Sequence, residues 1–103
     1  MQFQDLVTKA KEVREQYVKL NDTDGHNPWG VAEYMQGFMG DVGDLAKLIM
    51  AKNNYRHHGE VDQKLAHELG DCLWSLIIIA DRLGIDLEKS FLNTMEELKQ
   101  RIQ

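Results

Sequence analysis

The stretch Glu68–Ala80, ELGDCLWSLIIIA, decides the fold of this chain. It joins an acidic motif directly to the segment Cys72–Ala80, which is apolar almost throughout. Upstream, Leu65 and Leu69 continue the apolar pattern at a spacing of four, which predicts a helix from about Asp62 to Leu83. A helix that is apolar all round must be covered on every side, and a domain of about 100 residues does this poorly alone. The segment therefore predicts an all-α domain that assembles into a homo-oligomer.

Three more helices are predicted from apolar residues that recur every three or four positions. They run from about Gln4 to Leu20, from about Gly30 to Asn53 and from about Leu87 to Ile102. Turn-forming residues separate the helices in the loop Asn21–Trp29 and in the polar break Asn54–Gly59. Gly84 is a good helix end signal, and Asp86 is a good N-cap for the last helix. The sequence thus predicts one four-helix domain over residues 1–103.

The second helix carries two adjacent stripes. Its predicted apolar face consists of Val31, Tyr34 or Met35, Phe38, Val42, Leu45 and Ile49. The neighbouring stripe consists of Gly37, Asp41, Asp44 and Leu48. Glycines recur at Gly37, Gly40 and Gly43, although each costs about 1 kcal/mol relative to alanine inside a helix. Close approach of another helix would offset that cost, and a kinked helix is the alternative interpretation.

Charge and cysteine content limit the possible partners. The net charge of −5 and pI near 5.3 argue against nucleic acid or an anionic membrane as a main partner.

The single cysteine, Cys72, lies in the apolar segment and is expected to be a buried core residue, which fits a reducing compartment. Residues Met1–Ala10 do not resemble a secretion signal, and Leu76–Ala80, the longest apolar run, is too short to span a bilayer. A cytoplasmic protein is expected.

Two acidic motifs suggest a metal site. They are Asp41-Val42-Gly43-Asp44 and Glu68-Leu69-Gly70-Asp71, one on each of two predicted helices. Residues three apart lie on one face of a helix, so each motif projects two carboxylates in one direction. Where the helices face each other, four carboxylates meet, and Mg²⁺ or Mn²⁺ prefers such oxygen ligands. With 17 acidic residues in the chain, one such pair arises easily by chance, but two pairs with glycine before each aspartate favour the metal site.

Basic and aromatic residues near these motifs are candidates for contacts with a phosphate compound. Lys47 and Lys64 lie one turn from the motifs, and Arg56 lies in the polar break with Lys52, His57 and His58. Each is more often a solvated side chain than a ligand contact. Trp29 lies in the predicted loop and could stack on a base. The remaining aromatic candidates, Tyr34, Phe38 and Trp74, are better explained as core residues, and for Trp74 a subunit interface is also open.

The order of these motifs resembles the MazG-like family of all-α nucleoside triphosphate pyrophosphohydrolases. In that family an acid-x-x-acid motif, often GExGEL, precedes a second helix that contains ELGD; here the first motif reads GDVGDL. The stretch LGIDLE after the apolar helix, and HNPW before the second helix, are also similar to relatives. The resemblance covers most of the chain and implies that Asp41, Asp44, Glu68 and Asp71 bind the metal.

The resemblance also implies the chemistry. Water attacks the α-phosphorus of a nucleoside triphosphate with the help of Mg²⁺, and the monophosphate and pyrophosphate are released, a reaction suited to clearing the nucleotide pool. Glu68, with the longest of the four side chains, is the candidate general base. Relatives often carry a lysine and an asparagine on the last helix, where this chain has Thr94 and Leu98. No base or sugar preference is therefore implied.

Two other functions fit parts of the pattern. A non-catalytic α-helical oligomer could bind a nucleotide or a partner protein through the same surfaces. A di-iron carboxylate bundle also uses acids from several helices, but it requires Glu-x-x-His motifs. None of the four histidines lies three residues after a glutamate, so the di-iron bundle is the weakest of the three hypotheses.

Overall fold

The computed structural model is built from four α-helices and describes residues 1–25, 27–53 and 59–102. The helices are α1 (Phe3–Thr23), α2 (Val31–Asn53), α3 (Gly59–Arg82) and α4 (Leu87–Arg101). No residue within the described ranges belongs to a β-strand. The all-α, four-helix prediction is confirmed, and every helix begins and ends within three residues of its predicted bounds. No helix in these ranges is long and apolar enough to cross a membrane.

The end of α1 and the start of α3 each lie three residues outside the predicted boundaries. The sequence predicts a loop from Asn21 onward, but α1 continues to Thr23. The Thr23 hydroxyl donates a hydrogen bond to the Lys19 carbonyl at 3.0 Å, so this turn former satisfies its own hydroxyl inside the last turn. The helix stops only before Gly25, whose φ of 76° suits a residue without a side chain. Of the polar break predicted at Asn54–Gly59, residues 54–58 lie outside the described part of the chain.

The turn between α3 and α4 forms as the sequence predicts. Gly84 has φ of 71°, and the Ile85 N–H donates to the Ala80 carbonyl at 2.9 Å, which closes the end of α3. Two residues later, the Asp86 carboxylate accepts a hydrogen bond from the Lys89 backbone N–H at 3.0 Å. Asp86 is therefore the N-cap of α4.

Helices α2 and α3 form the main packed pair, and α1 lies against α3. Three pairs of residues meet across α2 and α3: Lys52 with Asp62, Asp44 with Glu68, and Tyr34 with Trp74. The residue number falls along α2 as it rises along α3, so the two helices are antiparallel. This arrangement places the two acidic motifs side by side.

A small core holds α1, α2 and α3 together. Its buried members are Ala10 from α1, Tyr34 from α2, and Ile77 and Ile78 from α3. The Trp74 Nε1–H donates to the Ala10 carbonyl at 3.1 Å, which fixes the indole against α1. Cys72 is also buried, as its position in the apolar segment predicts. Most of the Trp74–Ala80 segment is thus covered by the chain itself, although Leu76 remains 41% exposed.

The predicted apolar face of α2 is partly wrong. Val42 and Ile49 belong to that face, yet they are 43% and 46% exposed. The partly buried positions instead include Asp41 and Leu48, from the neighbouring stripe. The helix is rotated slightly from the predicted orientation, so that Asp41 is partly buried together with Phe38 and Leu45 of the predicted face. Hydrophobicity alone cannot predict this rotation, because it places carboxylates where apolar residues are expected.

Candidate metal centre and adjoining cavity

Three of the four predicted ligands meet in one cluster between α2 and α3. One carboxylate oxygen from each of Asp41, Asp44 and Glu68 lies within 4.8 Å of the others. Asp41 and Asp44 are neighbours because they are three residues apart on α2. Glu68 reaches them from the antiparallel α3. The two aspartates, one methylene shorter than the glutamates usual at these positions in relatives, thus still share a site with Glu68.

The fourth predicted ligand, Asp71, lies beside this cluster and not within it. Its Oδ2 atom is 3.1 Å from Nε2 of His67, four residues earlier on α3. Asp71 is nevertheless close enough to contribute to the raised pKa of Asp41. The sequence contains the signal for the contact with His67, since residues four apart on a helix are neighbours, but we did not predict it.

Burial and neighbouring negative charges disfavour the ionised forms of Asp41 and Glu68. The pKa of Asp41 is raised, first by burial and then by the charges of Asp71 and Asp44. The pKa of Glu68 is raised by loss of solvation and by the charges of Asp41, Asp71 and Asp44. His67 has a smaller, opposite effect on both. A nearby cation would remove most of this repulsion and favour the ionised carboxylates.

One oxygen atom of Glu68 indicates that these residues are suited to bind a metal ion. Its Oε2 atom has almost no contact with solvent and no hydrogen-bond partner among the described residues. An unpaired carboxylate oxygen of this kind is costly unless a cation binds it. Oxygens that share one Mg²⁺ lie about 3 to 4 Å apart, so the three carboxylates would move closer together to hold it. The donor set therefore fits Mg²⁺ or Mn²⁺.

The predicted basic contacts lie in different surroundings. Lys47 and Lys64 are exposed on their helices. Lys52 pairs with Asp62 at the far end of the α2–α3 pair. Arg56, His57 and His58 lie outside the described residues. A basic side chain that we did not predict is Arg14 of α1, whose Nε is shielded from solvent and has no hydrogen-bond partner within the described ranges.

A cavity of about 450 Å³ opens beside the acidic cluster. Asp41 and Asp71 are the acidic residues among its described lining residues, and four of those ten residues are aromatic. Its described lining residues are Tyr17, Leu20, Asn21, Trp29, Tyr34, Gly37, Asp41, Asp71, Trp74 and Ser75. Trp29, predicted to contact a base, lies in this wall, whereas Tyr34 serves both the core and the cavity. The volume and the mostly apolar lining are typical of small-molecule sites.

The glycines near the motifs behave differently from one another. A Cβ atom added to Gly40, Gly43 or Gly70 would meet nothing within 4 Å in the described chain. The prediction that another helix approaches closely at these glycines is wrong for the single chain. At Gly37 there is a close neighbour, but it is the loop residue Trp29 and not a helix: an added Cβ would lie 3.1 Å from the Trp29 Cζ3 atom.

A family comparison agrees with this geometry. A model of the MazG nucleotide pyrophosphohydrolase domain matches residues 30–103, which include both acidic motifs. The chain belongs to the MazG family. This confirms the resemblance carried by GDVGDL and ELGD. Members of the family are nucleotide pyrophosphohydrolases, hydrolases that generally use a divalent metal ion, so a nucleotide is the expected kind of ligand. No curated protein and no solved structure matches the chain.

The MazG match also divides the site into two parts. The acidic motifs lie on α2 and α3, inside the matched range. By contrast, Tyr17, Asn21 and Trp29, which form one wall of the cavity, lie before residue 30. The acidic cluster is therefore covered by the family match, whereas this wall of the cavity is not.

Proposed function

We propose that this MazG protein is a Mg²⁺-dependent nucleoside triphosphate pyrophosphohydrolase that converts ribo- or deoxynucleoside triphosphates into monophosphates and pyrophosphate. The observation that carries the proposal is the meeting of Asp41, Asp44 and Glu68 in one cluster, where one Glu68 oxygen is shielded from solvent and has no hydrogen-bond partner among the described residues. Mn²⁺ suits the same ligands. Clearing of unwanted nucleotides in the cytoplasm is the role that fits this activity.

Asp41, Asp44 and Glu68 would hold the cation, with Asp71 as a further ligand or as the residue that orients the site. A divalent cation supplies Lewis acidity there: it lowers the pKa of a water molecule and neutralises charge on the phosphates. Glu68 accepts a proton from the attacking water. The water oxygen forms a bond to the α-phosphorus, and the bond between that phosphorus and the bridging oxygen of the pyrophosphate breaks.

Charge explains why the cation is needed before the substrate can bind. The cluster contains only carboxylates, so a triphosphate is repelled from it when no cation is present. The basic residues Lys47, Lys64 and Arg56 are proposed to contact the outer phosphates. Trp29 is proposed to contact the base from the cavity wall. Each of these contacts is a proposal that rests on position along the chain or on the cavity lining.

The protein is further proposed to act as a homodimer or homotetramer. Its accessible surface is 8102 Å², about 2,000 Å² more than expected for a compact monomer of 11.9 kDa. Its radius of gyration is 16.5 Å, against about 13 Å for a compact chain of this length. The excess surface matches what a subunit of a stable oligomer covers.

Helix α4 accounts for part of the excess surface. It has no buried residue and contacts α3 only over a short stretch. Phe91, Leu92 and Leu98 are 57%, 59% and 45% exposed. Leu73 and Leu76 of α3 are also more than two-fifths exposed. A second copy of the chain is the proposed cover for these side chains.

The decisive experiment is to incubate the purified protein with Mg²⁺ and a panel of ribo- and deoxynucleoside triphosphates, and to detect pyrophosphate and orthophosphate separately. Release of pyrophosphate with the monophosphate, lost when EDTA is added, is the expected result. A folded protein that binds Mn²⁺ but releases no pyrophosphate from any triphosphate would contradict the proposal. That outcome would favour a non-catalytic nucleotide-binding oligomer.

A further inference from the structure

We propose that Trp29, held in place by the absent side chain of Gly37, and Asn21 together select the base of the nucleotide in the cavity beside the acidic cluster. The inference rests on the proposed function and adds to it the residues that recognise the base. Tyr17, Asn21 and Trp29 all lie before the segment that matches the family. Their role is therefore deduced from the cavity and not from family membership.

The charge of the cavity determines which end of a nucleotide enters it. Among the described residues that line it are two carboxylates, Asp41 and Asp71, and no lysine or arginine. A triphosphate cannot lie among these residues without a cation. The phosphates are therefore placed at the acidic end of the cavity, and the uncharged base and sugar occupy the aromatic part.

The two helices align that aromatic part with the acidic cluster. Tyr34, Gly37 and Asp41 follow one another along one face of α2, and all three line the cavity. At a rise of 1.5 Å per residue, the step from Tyr34 to Asp41 spans about 10 Å along the helix. The aromatic wall thus lies beside the cluster at a distance that leaves room for a base and a sugar between them.

The aromatic wall is held rigidly at its inner end. The Tyr34 and Trp74 rings meet edge to face, with centroids 5.6 Å apart, and Tyr17 contacts Trp74 at 5.9 Å. The only polar hydrogen of the Trp74 ring is donated to the Ala10 carbonyl. Trp74 therefore offers the ligand an apolar surface and no hydrogen bond. Aromatic surfaces of this kind stack on any base and do not select one.

Among the aromatic rings of the cavity, Trp29 is the one whose position depends on Gly37. It lies in the loop before α2, is 47% exposed, and meets Tyr34 edge to face at 5.5 Å. Its Cζ3 and Cη2 atoms approach Gly37 so closely that an added Cβ would lie at 3.1 and 3.5 Å. Since Cβ contacts of 3.1 Å are rare, a side chain at position 37 would shift the ring by a few tenths of an ångström. Gly37 is a positioning residue for Trp29.

Asn21 supplies the hydrogen bonds that stacking cannot. It lies near the end of α1, one turn beyond Tyr17, and is one of the residues that line the cavity. Its carboxamide can both donate and accept hydrogen bonds. A site that hydrogen-bonds one base leaves its polar group unpaired with another, and this discriminates more strongly than shape. Asn21 is accordingly the residue that distinguishes between bases.

The test uses the full chain in EDTA with the four common 2′-deoxynucleosides, which lack phosphates and so report on the cavity alone. The chain has two tryptophans, so a ¹H–¹⁵N spectrum shows two indole signals that a Trp29→Leu variant assigns. We expect at least one nucleoside to move the Trp29 signal. We expect Gly37→Ala to weaken that binding about threefold or more, and Trp29→Leu about 5- to 150-fold.

The matched control is Gly40→Ala, the same substitution one turn along α2, where an added Cβ meets nothing in the described chain. It should bind nucleosides as the unchanged protein does. Asn21→Leu should reduce the ratio of specificity between the best and the worst base about tenfold. The change should appear in KM, while kcat is retained.

The inference is overturned if no nucleoside at about ten millimolar moves the Trp29 signal, or if Gly37→Ala and Gly40→Ala bind alike. Pyrophosphate release with those negative results would leave the proposed function standing without this recognition. Nucleoside binding that depends on Gly37, in a protein that hydrolyses no triphosphate, would support the proposed base recognition and contradict the proposed enzymatic function.

Discussion

Asp44 and Glu68 are the residues on which the proposed chemistry depends. They belong to different helices, and their oxygens, with one from Asp41, lie within 4.8 Å of one another. An acidic pair on a single helix would have its charges solvated independently. Here the charges of Asp44 and Asp71 help to raise the pKa values of Asp41 and Glu68, so a substitution at Asp44 alters the electrostatic environment of both.

Removing one of these charges should remove activity without unfolding the protein. We expect Asp44→Asn to abolish Mg²⁺-dependent pyrophosphate release, because an amide is a poor ligand for a hard cation. Glu68→Gln should lower kcat by about 10²- to 10⁴-fold or more, since it removes the proposed base as well as a ligand. Pyrophosphate assays and circular dichroism measure the two effects separately.

The control for this experiment is Glu33→Gln, which neutralises an exposed acid in the first turn of the same helix. It should keep full activity. Wild-type turnover in both Asp44→Asn and Glu68→Gln would show that the metal site is assigned to the wrong residues.

The same cluster predicts how stability depends on pH when no metal is bound. The raised pKa values of Asp41 and Glu68 mean that the folded state keeps protons that the unfolded state has already lost. Stability therefore falls as pH rises through the range between the ordinary and the raised pKa. In EDTA, Asp44→Asn should melt at a higher temperature than wild type at about pH 7, with a smaller difference near pH 4.

Thermal unfolding with and without Mg²⁺ measures this effect. Added Mg²⁺ should stabilise the wild-type protein more at about pH 7 than at about pH 4, because protonated carboxylates do not bind it. An equal Mg²⁺ effect at both pH values, or equal stabilisation of Asp44→Asn, would contradict the cluster as the binding site.

At the scale of single helices, local sequence signals explain the ends well. Gly25 and Gly84 take positive φ where α1 and α3 stop, and the Asp86 side chain caps α4. These signals act over a few residues, so those at Gly84 and Asp86 are predicted from sequence alone, whereas the end of α1 is predicted three residues too early. The rotation of α2 about its own axis cannot be predicted in this way, because it depends on the surface that α3 presents to it.

The cap of α4 gives a prediction for an element that has little tertiary support. Asp86→Ala should destabilise α4 by about 1 kcal/mol, because the Lys89 backbone N–H loses its acceptor. Faster amide hydrogen exchange in α4, with less change in α3, is the expected measurement. Asp86→Asn keeps an acceptor, and Lys89→Ala keeps the backbone donor, so both should exchange like wild type. Unchanged exchange in Asp86→Ala would show that the cap does not stabilise the helix.

At the scale of the whole molecule, the chain leaves more surface exposed than a compact monomer would. Exposed apolar side chains occur on all four helices, including Met39 and Met50 of α2 and Phe91 and Leu92 of α4. The buried core of the chain is small by comparison, since it has only four clustered members. Folding and assembly are therefore expected to be coupled.

Assembly can be tested through one residue of α4. We expect light scattering to show at least a dimer of the 11.9 kDa chain at micromolar concentration. Phe91→Glu, which places a charge among exposed apolar side chains, should shift the mass toward the monomer. Asn93→Glu introduces the same charge on the opposite side of α4 and should leave the mass unchanged. A stable wild-type monomer would contradict the proposed assembly.

The sequence by itself determined the four helices, their ends at Gly84 and Asp86, and the two acidic motifs, because periodicity and capping are local properties. It also indicated Trp29 as a possible contact for a base. Only the tertiary structure decided that Asp71 lies beside the cluster, that α2 turns Asp41 toward α3, and that Trp29 rests on Gly37. These features depend on how helices distant in sequence rotate and pack against each other, and that packing is a balance of burial and repulsion that no single segment contains.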